Sequence, residues 1–347
     1  DEHTSRGLGD VYKRQAIGMM LFTSRPVGDA MATTIWGTSS SWTLTALPLF
    51  VWMGEILFRT RLSENLFKGL SPWMQKLPGG LIHVNVVGCA LFAAISGSSA
   101  ATVATVGKMS IPELRKRNYP EKILLGSLAG SGTLGLLIPP SIILIIYGVA
   151  VQESIAKLFI AGILPGIMIA LIFMSYVIFW SLINKKQMPK IVEEYSIFEK
   201  IKRSKQLLPV IILISAVIGS IYTGIATATE AASLGVVGAL ILSYFQKSLT
   251  LETFKTSLLG ATKTSCMIAF ILAGSTFLSL AMGFTGLPRN LAMWIQNMDL
   301  SPYVLIFVLM IFYIILGMFL DGISAVVLTM AIICLLYTSD AADEITG

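Results

Sequence analysis

Apolar residues fall into eight runs along the chain, at about 43–58, 81–107, 123–151, 158–183, 207–223, 231–245, 265–284 and 302–336, with short polar or basic segments between them. Most of these runs reach the roughly 17 to 25 residues that a helix needs to cross a bilayer. The pattern predicts an all-α polytopic membrane protein. Two runs are broken from within: Ser96, Gly97, Ser98 and Ser99 interrupt the second, and Gly135, Leu136, Leu137, Ile138, Pro139, Pro140 and Ser141 interrupt the third. Unwound backbone at membrane depth is tolerated only where it is buried in protein or lines a polar cavity. Two such breaks, about 40 residues apart, predict a place where carbonyls and hydroxyls gather around an ion.

In the first break, residues 91–95 would enter as one half-helix, 96–99 form the tip and 101–106 leave as the other, a re-entrant hairpin over about 83–107. Small residues let the tip turn, and Ser hydroxyls with unpaired carbonyls are hard oxygen ligands that suit sodium. In the second, a helix over 130–147 would unwind at 135–140, because proline removes an amide donor and disfavours helix in the residue before it. Carbonyls freed near Gly135, Leu137 and Ile138 would complete a cation site, and the half-helix N-termini after the breaks would attract an anionic group. A plainer alternative accompanies each break: Gly and Ser also allow close packing of membrane helices, and a Pro pair also kinks a helix.

The polar positions between runs set the topology. Residues 25–41 predict a short helix at the membrane surface, and 61–78 an amphipathic stretch with Arg61, Glu64, Lys68, Lys76 and an interfacial Trp73. Glu55 and Arg59, four residues apart, are placed to pair at a helix end or to serve function. Lys108, Arg115, Lys116, Arg117 and Lys122 form the densest basic loop, and Lys185, Lys186, Lys190, Lys200, Lys202, Arg203 and Lys205 a second. The positive-inside rule puts both on the cytoplasmic face. Thr227 and Glu230 stand at capping-box spacing before an apolar run.

A shift of 225 residues superposes 62–66 on 287–291 and 96–100 on 321–325 without a gap. The identities Leu62/Leu287, Asn65/Asn290, Leu66/Leu291, Gly97/Gly322, Ser99/Ser324 and Ala100/Ala325 occupy matching places in an amphipathic-then-interrupted unit. Five crossings lie between the two units, an odd number, so the second unit enters from the opposite face as an inverted repeat. The predicted halves are 16–222, with the broken helix 123–151, and a shortened 223–333, with a second hairpin at about 302–333. Asp321 is the only acid in the 302–336 run. At membrane depth it reads as functional, and at a hairpin mouth as solvated.

Composition narrows the classes. Only 13% of residues are charged, against about a quarter in soluble domains, and the mean hydropathy is +0.79. The net charge of +6 sits in short segments between apolar runs rather than on an aromatic-bearing face, which argues against a nucleic-acid partner. Cys89, Cys266 and Cys334 stand singly in apolar surroundings without metal-ligand spacing. With two histidines, no nucleophile–base pair or metal cluster is visible, and the expectation is that the protein is not an enzyme. Residues 1–15 and 334–347 read as non-native segments, because 8–15 and 334–344 resemble translated adaptor sequence. The expectation is a fragment without its native beginning and end.

With these residues in view, the chain resembles the large membrane subunit of tripartite ATP-independent periplasmic (TRAP) transporters, within the ion-transporter superfamily. The matching stretches are FAAISGSSAATVATVG at 92–107, GTLGLLIPPSIILIIYG at 132–148, LFIAGILPG at 158–166, TGIATATEAASLGVV at 223–237 and LGMFLDGISAVVLTM at 316–330, within a resemblance over about 16–333. It implies an elevator-type carrier of the bacterial inner membrane, in which a mobile domain with two hairpins moves substrate and sodium past a fixed scaffold. Its first sodium site would use Ser96, Gly97 and Ser99 with Gly135, Ile138 and Pro139. Its second would use Gly317, Asp321, Gly322 and Ser324, with further ligands expected past the last residue. Ser98, Thr102 and Ser141 would lie near the substrate. Two departures from the family pattern are Ala331, where proline is usual, and a first spanning helix that is almost wholly absent. The implied partners are a small membrane subunit, separate or fused, and a periplasmic binding protein delivering an organic acid such as a C4-dicarboxylate or a sialic acid. Sodium is the implied coupling ion, and no other cofactor is implied. Two alternatives stay open: a symporter of the same superfamily working without a binding protein, and a non-transporting membrane scaffold whose breaks only pack helices.

Overall fold

The computed structural model describes residues 16–20, 26–59, 62–151, 153–189, 195–205, 207–298, 301–320, 322–327 and 329, and among these the backbone is helix joined by turns, with no strand. In chain order the helices are α1 (Val27–Ser39), α2 (Ala46–Phe58), α3 (Leu62–Met74), α4 (Ile82–Ser96), α5 (Ser99–Lys116), α6 (Glu121–Gly132), α7 (Ile142–Val151), α8 (Ile155–Ile183), α9 (Ile197–Ser204), α10 (Leu208–Tyr222), α11 (Ala228–Phe245), α12 (Leu251–Thr285), α13 (Leu287–Gln296) and α14 (Pro302–Gly317). By length and composition α8, α11 and Leu251–Phe284 of α12 are able to cross a membrane. On α8, Leu164, Met168, Leu171 and Phe179 are all exposed. A helix apolar on several sides and left open on them is stable against lipid and not against water. The chain is a multi-pass membrane protein.

Several elements run further than hydrophobicity predicts. The run at 265–284 is the second part of the longer α12, whose polar first part holds good helix formers and no proline. The helix leaving the first break continues past 107 to Lys116, ending on Arg115 and Lys116, which complement its C-terminal dipole. The second basic loop contains α9, started by a capping box between Ser196 and Glu199. The expected box at Thr227 and Glu230 is present, with the Thr227 amide donating to Glu230 Oε2 at 2.8 Å. The run at 302–336 is helical only to Gly317, turns at 318–320 and is helical again at 322–327.

The helices form two compact units. One comprises Thr45–Ile145 and Ser154–Ser265. In it α11 packs along α2 through Ala231, Gly235, Ala239 and Ser243, buried residues spaced four apart. Small side chains at that spacing let two helix backbones approach closely, here with Gly235 against the buried Met53 of α2. Glu55 and Arg59 form the expected ion pair, and Arg59 also donates to the Thr256 carbonyl and hydroxyl at 3.2 and 3.3 Å. That pair ties the end of α2 to α12. Tyr119, between α5 and α6, accepts from the Leu81 amide at 3.0 Å, and burial pushes its phenol pKa up.

The other unit comprises Asp1–Leu44, Ile146–Glu153 and Cys266–Gly347. Its described core gathers Met19, Val27, Phe277 and Ala281. Thr38 Oγ1 donates to Thr276 Oγ1 at 3.2 Å, and Ser275 Oγ to the Val327 carbonyl at 2.9 Å. Cys89 is buried, Cys266 is exposed, and Cys334 lies outside the described residues, as do 1–15 and 331–347.

The α2–α11 contact gives a stability test. A Cβ on Gly235 would stand 2.5 Å from Met53 Sδ and 3.3 Å from Val217 Cγ2, so Gly235→Val is expected to cost about 1–3 kcal/mol by overpacking. Thermal unfolding in detergent should show a clear fall in Tm. Gly219→Val, with nothing within 4 Å, should leave Tm nearly unchanged.

Candidate functional site

At the first break α4 ends on Gly97, whose φ of +58° is the left-handed conformation that glycine adopts without strain. Its amide donates to the Ala93 carbonyl at 2.9 Å. Ser98 is extended and caps α5, its hydroxyl accepting from the Ala101 amide at 3.5 Å. The tip is therefore two residues, narrower than the expected 96–99, because Ser96 and Ser99 belong to the flanking helices. Thr102, fully buried, closes the turn: its amide and hydroxyl donate to the Ser98 carbonyl at 3.0 and 2.8 Å. Ser96 Oγ shares a 2.9 Å hydrogen bond with Thr102 Oγ1. The helices α4 and α5 pack on each other and on α6.

The second break follows from its two prolines. In a continuous helix the carbonyls of Gly135 and Leu136 would accept from residues 139 and 140, and proline has no amide hydrogen to give. The backbone tightens into a 3-10 turn at Thr133–Leu136 and is non-helical from 137 until α7 begins at Ile142. Leu136 recovers a partner, since Ser141 Oγ donates to its carbonyl at 2.5 Å. The carbonyls of Gly135, Ile138 and Pro139 accept no hydrogen bond among the described residues.

The fold brings the two breaks together. The Ile142 amide donates to the Gly97 carbonyl at 3.3 Å. A Cβ on Gly97 would stand 2.8 Å from the Pro140 oxygen, and one on Gly135 would stand 2.8 Å from the Ser98 carbonyl carbon and oxygen and 2.9 Å from the Ser99 nitrogen. Of the six residues expected at a first sodium site, Gly97, Ser99 and Gly135 lie at this junction; Ser96 adjoins the tip, and Ile138 and Pro139 continue from Gly135. Ser98, Thr102 and Ser141 flank the same backbone. No residue of either break is ionisable, so the ligands available are neutral oxygens.

Three supporting residues escaped the sequence reading. Gly162 and Gly166, four apart on α8, let that helix approach the second break: a Cβ on the first would stand 2.9 Å from the Leu137 carbonyl oxygen, and one on the second 2.9 Å from Ile138 Cγ1. The small-residue spacing inside 158–166 was the available signal. Asn85, fully buried, holds α4 to α6. Its Nδ2 donates to Ser127 Oγ at 3.0 Å and to the Leu124 carbonyl at 3.3 Å, while Ser131 Oγ donates to the Asn85 carbonyl at 3.4 Å. An amide side chain inside an apolar run was its signal.

Of the expected second site, Gly317 is the last residue of α14, and Gly322 and Ser324 lie in the helical backbone after the turn at 318–320. Asp321 lies outside the described residues.

Contact between the breaks predicts a local effect. Gly135→Ala puts a Cβ against backbone, which cannot move aside as a side-chain tip can. Amide hydrogen exchange across 96–102 should accelerate at least tenfold. Gly126→Ala, in open space, should leave that exchange unchanged.

Comparison with known proteins assigns the chain to a family. The family model described as "Tripartite ATP-independent periplasmic transporter, DctM component" matches residues 13–341. The C4-dicarboxylate TRAP transporter large permease protein DctM of Pseudomonas aeruginosa is 32% identical over 317 residues, covering 91% of this chain and 73% of that protein. The sialic acid TRAP transporter large permease protein SiaM of Vibrio cholerae is 30% identical, covering 90% of this chain and 73% of that protein. The isethionate TRAP transporter permease protein DctMQ of Oleidesulfovibrio alaskensis is 30% identical, over 86% of this chain and 47% of that protein. With a match over nearly its whole length, the chain belongs to the DctM component family, the large permease subunits of tripartite ATP-independent periplasmic transporters.

Proposed function

We propose that the chain is the membrane permease of a sodium-coupled, binding-protein-dependent importer of an organic acid, working in the bacterial inner membrane by an elevator movement of two inverted halves, 16–222 and 223–333. The observation that carries this reading is the meeting of the two breaks, Gly135 against Ser98 and Ser99, with the carbonyls of Gly135, Ile138 and Pro139 accepting no hydrogen bond among the described residues. Divalent ions are usually bound through carboxylates. A cluster of neutral carbonyl and hydroxyl oxygens favours a monovalent cation, and unwound carbonyls hold sodium in this way in other carriers. Ser96, Gly97, Ser99, Gly135, Ile138 and Pro139 are the proposed ligands. Gly317, Asp321, Gly322 and Ser324 are proposed for a second sodium ion.

The substrate carboxylate is assigned to the N-terminal ends of α5 and α7, beside Ser98, Thr102 and Ser141, where helix dipoles and free amides favour an anion. The relatives' names include C4-dicarboxylate, sialic acid and isethionate transporters, all anions. A small membrane subunit and a periplasmic binding protein are the proposed partners.

Uptake into proteoliposomes holding the full-length permease, its small subunit and its binding protein should require an inward sodium gradient. Ser96→Ala together with Ser99→Ala should lower sodium-dependent uptake at least tenfold, about 1.4 kcal/mol, with the fold retained. Uptake indifferent to sodium would overturn the coupling.

A further inference from the structure

Helix α9 has no part in the candidate site, yet its three faces are sharply divided. Ile197, Phe198 and Ile201 are 73%, 76% and 50% exposed and, at about 100° per residue, share one arc of the helix. Lys202 flanks that arc, and Lys205 stands at the C-cap; both are exposed. Glu199, the helix's one acid, is turned back to the Ser196 amide at 3.1 Å. Arg203 lies with its guanidinium carbon 4.3 Å from the centre of the Tyr195 ring and donates to the Tyr195 hydroxyl at 3.2 Å.

The third face is fixed to α3. The Lys200 ammonium lies 5.5 Å from the centre of the Trp73 ring, and Trp73 Nε1 donates to Ser204 Oγ at 2.7 Å. This clamp sets the rotation of α9 about its own axis. With that rotation set, the apolar arc has to face outward.

Water is a poor neighbour for three large apolar side chains on one arc, and the bilayer centre is a poor one for Lys202 and Lys205. The boundary of a leaflet suits both. Between residues 185 and 205 seven basic residues face three acids, a balance complementary to an anionic lipid surface. We propose that α9 lies on the cytoplasmic leaflet, with Ile197, Phe198 and Ile201 among acyl chains and Lys202 and Lys205 among anionic phospholipid headgroups, and that it steadies α3 through the Trp73 clamp. The proposal rests on the multi-pass membrane reading and is independent of sodium coupling.

The test uses Phe198→Cys, in a background of Cys89→Ala, Cys266→Ser and Cys334→Ser, labelled with bimane and reconstituted in phosphatidylcholine vesicles with or without phosphatidylglycerol. Quenching is read with a nitroxide near the top of a lipid acyl chain and with iodide in water. With phosphatidylglycerol present, the nitroxide should quench the label several-fold more than iodide, and a label at Lys185→Cys should show the reverse. Lys202→Gln with Lys205→Gln leaves the Lys200–Trp73 contact intact and should shift the label toward iodide by roughly fivefold per charge removed. Equal iodide quenching at 198 and 185 in both lipids overturns the proposal, as does shielding that appears only when the small subunit is added. Shielding that ignores both phosphatidylglycerol and the two lysines overturns the headgroup assignment. None of these readouts depends on uptake, so the proposal and the sodium coupling fail separately.

Discussion

Every carbonyl at membrane depth needs a partner, and Pro139 and Pro140 withhold two of the donors that a spanning helix would supply. The candidate site follows from how that deficit is met. Ser141 repairs one carbonyl, that of Leu136. The first break sits against the second and uses the Ile142 amide through the Gly97 carbonyl. Of the residues whose carbonyls stay without donors, Gly135 and Pro139 are buried and Ile138 is half-buried. This arrangement tolerates unwound backbone only because each interruption covers the other.

Close approach is the second requirement, and glycine provides it from four sides. Gly97 and Gly135 bring the breaks to backbone contact, and Gly162 and Gly166 bring α8 behind the second break. Asn85 supplies the polar counterpart, anchoring α4 to α6 with two donated hydrogen bonds in an otherwise apolar interior. A buried polar group costs free energy unless it is satisfied. Nδ2 is paired by these two bonds while Oδ1 has no partner among the described residues, so it is the donated pair that specifies where α4 stands against α6. The stripe of Ala231, Gly235 and Ala239 applies the same packing logic to α2 and α11.

Much of this was legible in the chain. Long apolar runs named the helices, the Pro pair and the Ser-Gly-Ser-Ser tip named both interruptions, and spacing alone found the Glu55–Arg59 pair and the Thr227–Glu230 box. Hydrophobic runs were poor guides to where helices end, since the polar first part of α12 and the basic end of α5 are helical without being apolar. The helix α9 was hidden because a basic segment reads as loop until its capping box and its apolar arc are considered together. Asp321 and the terminal segments lie outside the described residues.

The sequence by itself determined the class of protein, the positions of the breaks and the chemistry they offer, because hydrophobicity, missing proline donors and residue type act locally. It also determined that those offered ligands are neutral, since neither break carries an ionisable residue. Only the tertiary structure decided that Gly97 meets Pro140 and Ile142, that Gly135 meets Ser98, and that Gly162 and Gly166 stand behind them. Contact between segments about 40 residues apart in the chain depends on how α4, α5 and α6 pack, and no local pattern records it. The rotation of α9 is of the same kind: its amphipathic order is in the sequence, but the Trp73 clamp that turns the apolar arc outward exists only once α3 is beside it.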